Sequence, residues 1–176
     1  MLGIIYKIKD NLTLSALKSI YLSLIQPSIH YGIVFWYGVS SDLKNKIFRL
    51  QKKLIRLITD SERLSHTEPL FKKTKILKLD DLYRLEINKF IHRELLFGNN
   101  FDFVHHADIH RYPTRSNNNF IIPYCRTNTA KNFVLNKGLS FYNSLPESYK
   151  NLENLNTFKC KLKLDILDTY LSEIRN

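Results

Sequence analysis

The chain has 176 residues, 44 % of them hydrophobic, with 11 Phe and 10 Tyr against only 5 Gly and 5 Pro. That is the length of one ordinary domain with enough apolar material for a core; the scarcity of Gly and Pro argues against a low-complexity chain or a turn-rich β-sandwich. A formal net charge of +11 points to a polyanionic partner, nucleic acid before an acidic membrane surface.

The charge is uneven: residues 1–100 carry 17 Lys and Arg against 9 Asp and Glu, and residues 101–176 carry 10 against 7. The first half is therefore the expected electrostatic footprint. The opening MLGIIYKIKD is uncharged only from Leu2 to Tyr6 before Lys7, too short for a signal-peptide core. No apolar run approaches a membrane span. The two cysteines, Cys125 and Cys160, are too few for a disulfide scaffold. The expectation is a soluble intracellular chain, in cytoplasm or nucleus, with no membrane partner.

In chain order, Thr13 is placed to cap a helix with apolar residues at Leu14, Leu17, Tyr21, Leu24 and Ile25, which Pro27 interrupts. Next comes IHYGIVFWYG, Ile29 to Gly38, uncharged and expected to be buried as either helix or strand. Pro27 at a first helical position suits a helix, while the β-branched and aromatic content suits a strand; the helical neighbours favour helix. Tyr31 and Trp36 are expected in the core. Ser41 is placed to cap a third segment with Asp42 in its first turn, and Leu43, Ile47, Leu50, Leu54 and Leu57 form a stripe at helical spacing. Arg49, Lys52, Lys53 and Arg56 fall on the opposite face, with Lys44 and Lys46 nearer its borders. A further helix begins at Asp80 or Asp81, carries Tyr83, Ile87, Ile91 and Leu95 on one side, and stops at Gly98.

Residues 98–129 lose this rhythm, and NFIIPY within them suits a short extended piece confined to an edge by Pro123. Helical pattern returns around Ala130 to Leu135. A last helix, capped by Asn156 or Thr157, carries Phe158, Leu162, Ile166, Tyr170 and Ile174. The predicted fold class is mainly α: a helical bundle, an irregular central segment and a C-terminal helical piece.

Several chemistries lack their residues. Two-metal enzymes need clustered carboxylates, and the one adjacent pair, Asp80–Asp81, sits where a helix should begin and is read as capping it. No Gly-rich phosphate loop is present. His105, His106, His110 and Cys125 invite a zinc reading but lack paired, closely spaced ligands, so no metal is expected. His66 beside Thr67 reads as a cap or a buried hydrogen-bonding group. Basic side chains three and four positions apart project together and suit tracking of phosphates, so Lys44, Arg49, Lys52, Lys53 and Arg56 are the candidate nucleic-acid contacts; an ordinary solvated face is the plainer alternative. HRYPTRS, residues 110–116, adds Arg111 and Arg115 as further candidates, read as a structural turn first and a nucleic-acid contact second.

These segments also carry a resemblance. IYLSLIQPSIHYGIVFW, LKNKIFRLQKKLIRLIT, HTEPLFKKTKILKLDDLYRLE, HRYPTR, GLSFYNSLP and TFKCKLK, in that order, resemble the region after the palm in reverse transcriptases of non-LTR (LINE-like, jockey-type) retrotransposons. The likeness spans nearly the whole chain. Tyr31, Gly32 and Trp36 match a Tyr-Gly-x-x-x-Trp stretch; Gln51, Lys52 and Arg56 match a Leu-Gln-Lys/Arg-x-x-x-Arg helix; His66, Thr67, Pro69, Leu70 and Phe71 match His-Thr-x-Pro-Leu-Phe. Tyr142 stands where that family usually has Trp, and the Pro that usually follows the glycine corresponding to Gly98 is absent.

The resemblance implies a helical thumb-like region over 1–97, a linker with a short strand over 98–129, and a C-terminal helical segment over 130–176. It implies a chain starting after the endonuclease, fingers and palm: a truncated element copy, a domesticated fragment or an incomplete gene model. The parent activity would be RNA-directed DNA polymerisation, but the Tyr-x-Asp-Asp carboxylates that bind its magnesium belong to the palm, so this chain alone is expected to be inactive and to hold no cofactor. Its implied partners are RNA or DNA, as a primer–template duplex bound without sequence preference, and a reverse transcriptase palm domain. The alternative role is an inert remnant or a protein-interaction module docking on a separate palm.

Overall fold

The computed structural model describes residues 2–38, 40–98, 101–109 and 117–172, and it is mainly α-helical. HRYPTRS, with Arg111 and Arg115, lies outside the described residues, as do His110 and Ile174. The chain divides into two units, one of Met1–Tyr83 with Leu164–Asn176 and one of Arg84–Lys163.

The first unit opens with α1 (Leu2–Ile8) and a 3-10 turn over Lys9–Asn11. Thr13 caps α2 (Leu14–Ile20), its hydroxyl accepting from Ala16 N at 3.3 Å. Pro27 does not interrupt the path. Residues Tyr21–Ile25 form a π turn in which the Gln26 N–H reaches back to the Tyr21 carbonyl, and α3 (Gln26–His30) follows with Pro27 in its first turn. A proline is tolerated at a helix start because its missing N–H has no partner to lose there, and the wider turn before it makes that start.

A break does come, five residues later. Gly32 takes φ +63°, the left-handed region that a glycine enters without steric cost, and α4 (Ile33–Trp36) resumes beyond it. The helical reading of Ile29 to Gly38 holds, but its burial does not: of these residues only Ile33 is buried, Phe35 is exposed, and Tyr31 is 87 % exposed. The turn uses the Tyr31 backbone, whose carbonyl accepts the Trp36 indole N–H at 3.0 Å, and leaves its ring in solvent.

In α5 (Ser41–Ile58) the cap is Ser40 rather than Ser41, its hydroxyl accepting from Leu43 N at 3.3 Å. The face that enters the core is rotated from the predicted stripe. Gln51, Leu54, Ile55 and Ile58 are buried, with Phe48 packed beside them, whereas Leu43 and Leu50 are exposed. Leu54, Ile55 and Ile58 meet Ile5, Leu17, Tyr21, Ile25, Phe71 and Ile76 in one apolar cluster. Phe71 comes from α6 (Glu68–Thr74), which starts after a buried Thr67 and an exposed His66; His66 is neither a cap nor a buried group.

Helix α7 (Leu79–Phe97) begins in this unit, and Gln51 fixes its start. The Gln51 amide nitrogen, Nε2, donates to the Leu77 carbonyl at 2.9 Å and to the Tyr21 hydroxyl at 3.0 Å, while Oε1 accepts the Leu79 N–H at 3.0 Å. The first N–H groups of a helix lack intrahelical partners, and here Gln51 supplies one. Asp80 and Asp81, expected as caps, bind tyrosines: Tyr37 donates to Asp80 and Tyr170 to Asp81. Tyr170 also accepts the Lys78 N–H at 3.1 Å.

The second unit contains the rest of α7, followed by α8 (His106–Ile109), α9 (Asn128–Lys131), α10 (Val134–Asn143), α11 (Glu147–Lys150) and the first part of α12 (Leu155–Ser172). The extended piece expected at NFIIPY is a single antiparallel bridge, His105 to Phe120, joined by Ile121 N to Val104 O at 2.8 Å. Asn143 completes it as a strand would, accepting the Phe120 N–H at 2.9 Å and donating to its carbonyl at 2.8 Å. Asn154, two residues before the expected cap, caps α12 by accepting from Asn156 N at 2.8 Å and Thr157 N at 3.3 Å. Phe158 and Leu162, buried on the predicted face of α12, join this unit's core, and Ile166 and Tyr170 on the same face are buried in the first unit.

GLSFYNSLP is accounted for within this unit by packing. Gly138 lets α10 approach α7, since a Cβ there would lie 2.8 Å from Ile91 Cγ1. The buried His92 ring stacks on Phe158 with centroids 4.0 Å apart. Its Nε2 is 2.7 Å from the Leu152 carbonyl, which can only accept, so Nε2 carries the proton and Nδ1 accepts from the Tyr142 hydroxyl at 2.9 Å. Burial holds His92 below its usual pKa, against the pull of the Leu152 bond, and raises Tyr142 to about 12, with Glu147 adding to the rise.

Candidate nucleic-acid interface

The basic residues of α5 divide by environment. Arg49 and Lys53 are exposed one turn apart and make no ion pair with any described residue, and Lys46 is exposed one turn before Arg49. Lys52 is half-buried with its ammonium 4.3 Å from the Phe48 ring centroid, so its stem covers the core edge while its charge stays at the surface. Arg56 is half-buried and anchored through Nε to the Ser65 carbonyl at 2.9 Å, which leaves its terminal nitrogens for another acceptor. Lys44 stands apart. It is 3.1 Å from the Asp80 carboxylate and 4.7 Å from the Tyr37 ring centroid, in a network where Tyr37 stacks on Tyr83 at 3.9 Å. Burial first, then Asp80, pushes the Tyr37 hydroxyl far up; burial and Tyr37 carry Tyr83 to about 12. Tyr37 acts as a hydrogen-bond donor to Asp80, and neither phenol is an acid–base group at neutral pH.

Long-range packing adds cations that sequence spacing did not reveal. At the C-terminal end of α5, a groove of about 620 Å³ is lined by Lys9 and Tyr6 from the N-terminal segment, by Lys53 and Arg56, and by Asp60 and Arg63 beyond the helix. Tyr6 is 63 % exposed. Lys9 lies far from the stripe in sequence, and Arg63 lies past the end of the helix where its periodicity no longer applies.

A second groove, of about 640 Å³, lies on the neighbouring face of α5. Ile25, Ile29, Trp36, Leu43, Ile47, Leu50 and Leu54 line it, with Ser28 and Gln51 the polar residues among its walls. The apolar stripe read from the sequence therefore faces this groove over its first half and the core only later.

Asp80 and Asp81 are occupied by Tyr37, Lys44 and Tyr170, as described. His105 packs on Phe120 and its Nδ1 is 3.2 Å from the Asn118 carbonyl. Cys125 accepts from Asn136 Nδ2 at 3.1 Å. Among the described residues no three His, Cys, Asp or Glu side chains are grouped to hold a metal ion, and no helix is long and apolar enough to cross a membrane. Compared with protein-family models, with curated proteins and with solved structures, the chain finds no match in any of the three.

Proposed function

We propose that this chain is a non-catalytic nucleic-acid-binding module of the kind that follows the palm in non-LTR retrotransposon reverse transcriptases, steadying a primer–template duplex by neutralising its phosphates. The observation that carries the reading is the outward basic row of α5, with Arg49 and Lys53 exposed and Lys52 and Arg56 held beside them. Phosphate contacts position a duplex without reading its sequence. Under this reading the polymerase chemistry and its magnesium belong to a palm bearing Tyr-x-Asp-Asp, a motif this chain does not contain, and the module works inside the cell where such templates are found.

The test is a salt titration of binding to an RNA–DNA hybrid and to duplex DNA, wild type beside an Arg49→Ala, Lys53→Ala double variant. Each phosphate contact contributes about 0.9 to the slope of log affinity against log salt on B-form DNA. The double variant should flatten the slope by about 2 units on unrelated sequences and leave the melting temperature almost unchanged, since exposed substitutions cost within about 0.5 kcal/mol. An unchanged slope in the folded variant would make the row an ordinary solvated face.

The apolar groove between Trp36 and α5 favours a second reading, in which the chain docks on a separate palm domain through that face. A wild type that binds no nucleic acid by itself, yet gains affinity in the presence of a palm domain, would favour it.

A further inference from the structure

We propose that the groove at the C-terminal end of α5 holds an unpaired nucleotide of a single strand, its base on Tyr6 and its phosphates on Lys53, Arg56 and Arg63, with Asp60 as a built-in competitor for Lys9. The proposal rests on the reading of α5 as a phosphate-contacting face and names what lies at the end of that face.

Three observations converge. The groove's cations outnumber its carboxylates: Lys9, Lys53, Arg56 and Arg63 surround Asp60. Its wall carries Tyr6, 63 % exposed. An exposed ring beside cations suits a base whose face is uncovered, because a duplex hides those faces in its stack while a single strand offers them to aromatic side chains. The volume, about 620 Å³, is within the roughly 300–1,000 Å³ typical of small-ligand pockets.

Asp60 is the third. It follows the helix end in the left-handed region, φ +48°, where Ser61 N bonds the Arg56 carbonyl at 3.0 Å and Asp60 N the Leu57 carbonyl at 3.4 Å. Glycine or asparagine usually fills that position, and a carboxylate is disfavoured at the negative end of a helix. Here it meets Lys9 at 2.7 Å, which lowers the Asp60 pKa and raises that of Lys9. The residue is poorly suited to its backbone and suited to holding a lysine. A strand phosphate entering the groove displaces it.

The experiment measures anisotropy of labelled oligo-rU, oligo-dT and a blunt DNA duplex against the full chain at fixed salt. Tyr6→Ala should weaken both single strands by about tenfold, as loss of one stacked base does, and leave the duplex unchanged. Equal losses on rU and dT are expected, because a stacking ring does not read the 2′-hydroxyl. Asp60→Asn, which keeps a residue tolerant of the left-handed region, should tighten single-strand binding by about two- to fivefold, the worth of an ordinary exposed ion pair. A melting temperature equal to that of the wild type ties the gain to the folded groove. Unchanged single-strand affinity in both variants, while wild type still binds duplex with the salt slope described above, overturns this proposal alone. A wild type that binds no nucleic acid overturns it together with the reading on which it rests.

Discussion

Replacing Gln51 by leucine separates two roles for that residue. The resemblance puts it in one helical motif with Lys52 and Arg56, which are candidate nucleic-acid contacts, whereas its side chain is 1 % exposed and bridges Tyr21, Leu77 and Leu79. Leucine nearly keeps the volume and removes all three hydrogen bonds. The Leu77 carbonyl and the Leu79 N–H belong to buried residues, and each buried backbone group left unpaired costs about 1–3 kcal/mol. The Tyr21 hydroxyl loses one further bond of about 1 kcal/mol, and the added apolar surface returns a similar amount. The expected loss is about 2–6 kcal/mol, a large share of the roughly 5–15 kcal/mol that holds a domain folded. Urea unfolding followed by circular dichroism should show a lower midpoint with an unchanged slope. A loss below about 0.5 kcal/mol, or weaker nucleic-acid binding at full stability, would refute the buried clamp and return Gln51 to the surface.

Gly138→Ala gains helix propensity of about 1 kcal/mol but places a Cβ 2.8 Å from Ile91 Cγ1 and 2.9 Å from its Cδ1; overpacking costs about 1–3 kcal/mol, so thermal melts should show net destabilisation, partly relieved by adding Ile91→Val. His92 has a folded pKa held below its unfolded value of about 6.5. Its contribution to stability is therefore complete above that value and is lost as pH falls through the folded pKa; urea midpoints from pH 7.5 down to 5 should fall more steeply in wild type than in His92→Gln. Tyr170→Phe removes the hydroxyl that accepts from Lys78 N and donates to Asp81. It should cost about 1–3 kcal/mol, and calorimetry showing no change would mean that those groups find other partners.

The sequence by itself determined what local chemistry determines. Thr13 caps α2, the lengths of α5 and α7 follow their spacing, Gly98 follows the last turn of α7, and Phe158, Leu162, Ile166 and Tyr170 share the buried face of α12. The mainly α character follows from these, and Arg49 and Lys53 project outward as their spacing requires. Tertiary structure decided which apolar residues are covered. A periodic stripe marks a helix face but not its neighbour, and in α5 the neighbour meets Gln51, Ile55 and Ile58 rather than Leu43 and Leu50. A glutamine in a basic, leucine-rich helix reads as polar surface until a distant helix start brings an N–H and a carbonyl to it. Asp80 and Asp81 read as caps until Tyr37 and Tyr170 arrive from far along the chain. Tyr6 and Lys9 join the end of α5 only through the packing of the N-terminal segment, because Coulomb attraction and stacking depend on distance in space, and sequence periodicity reports distance only within one helix.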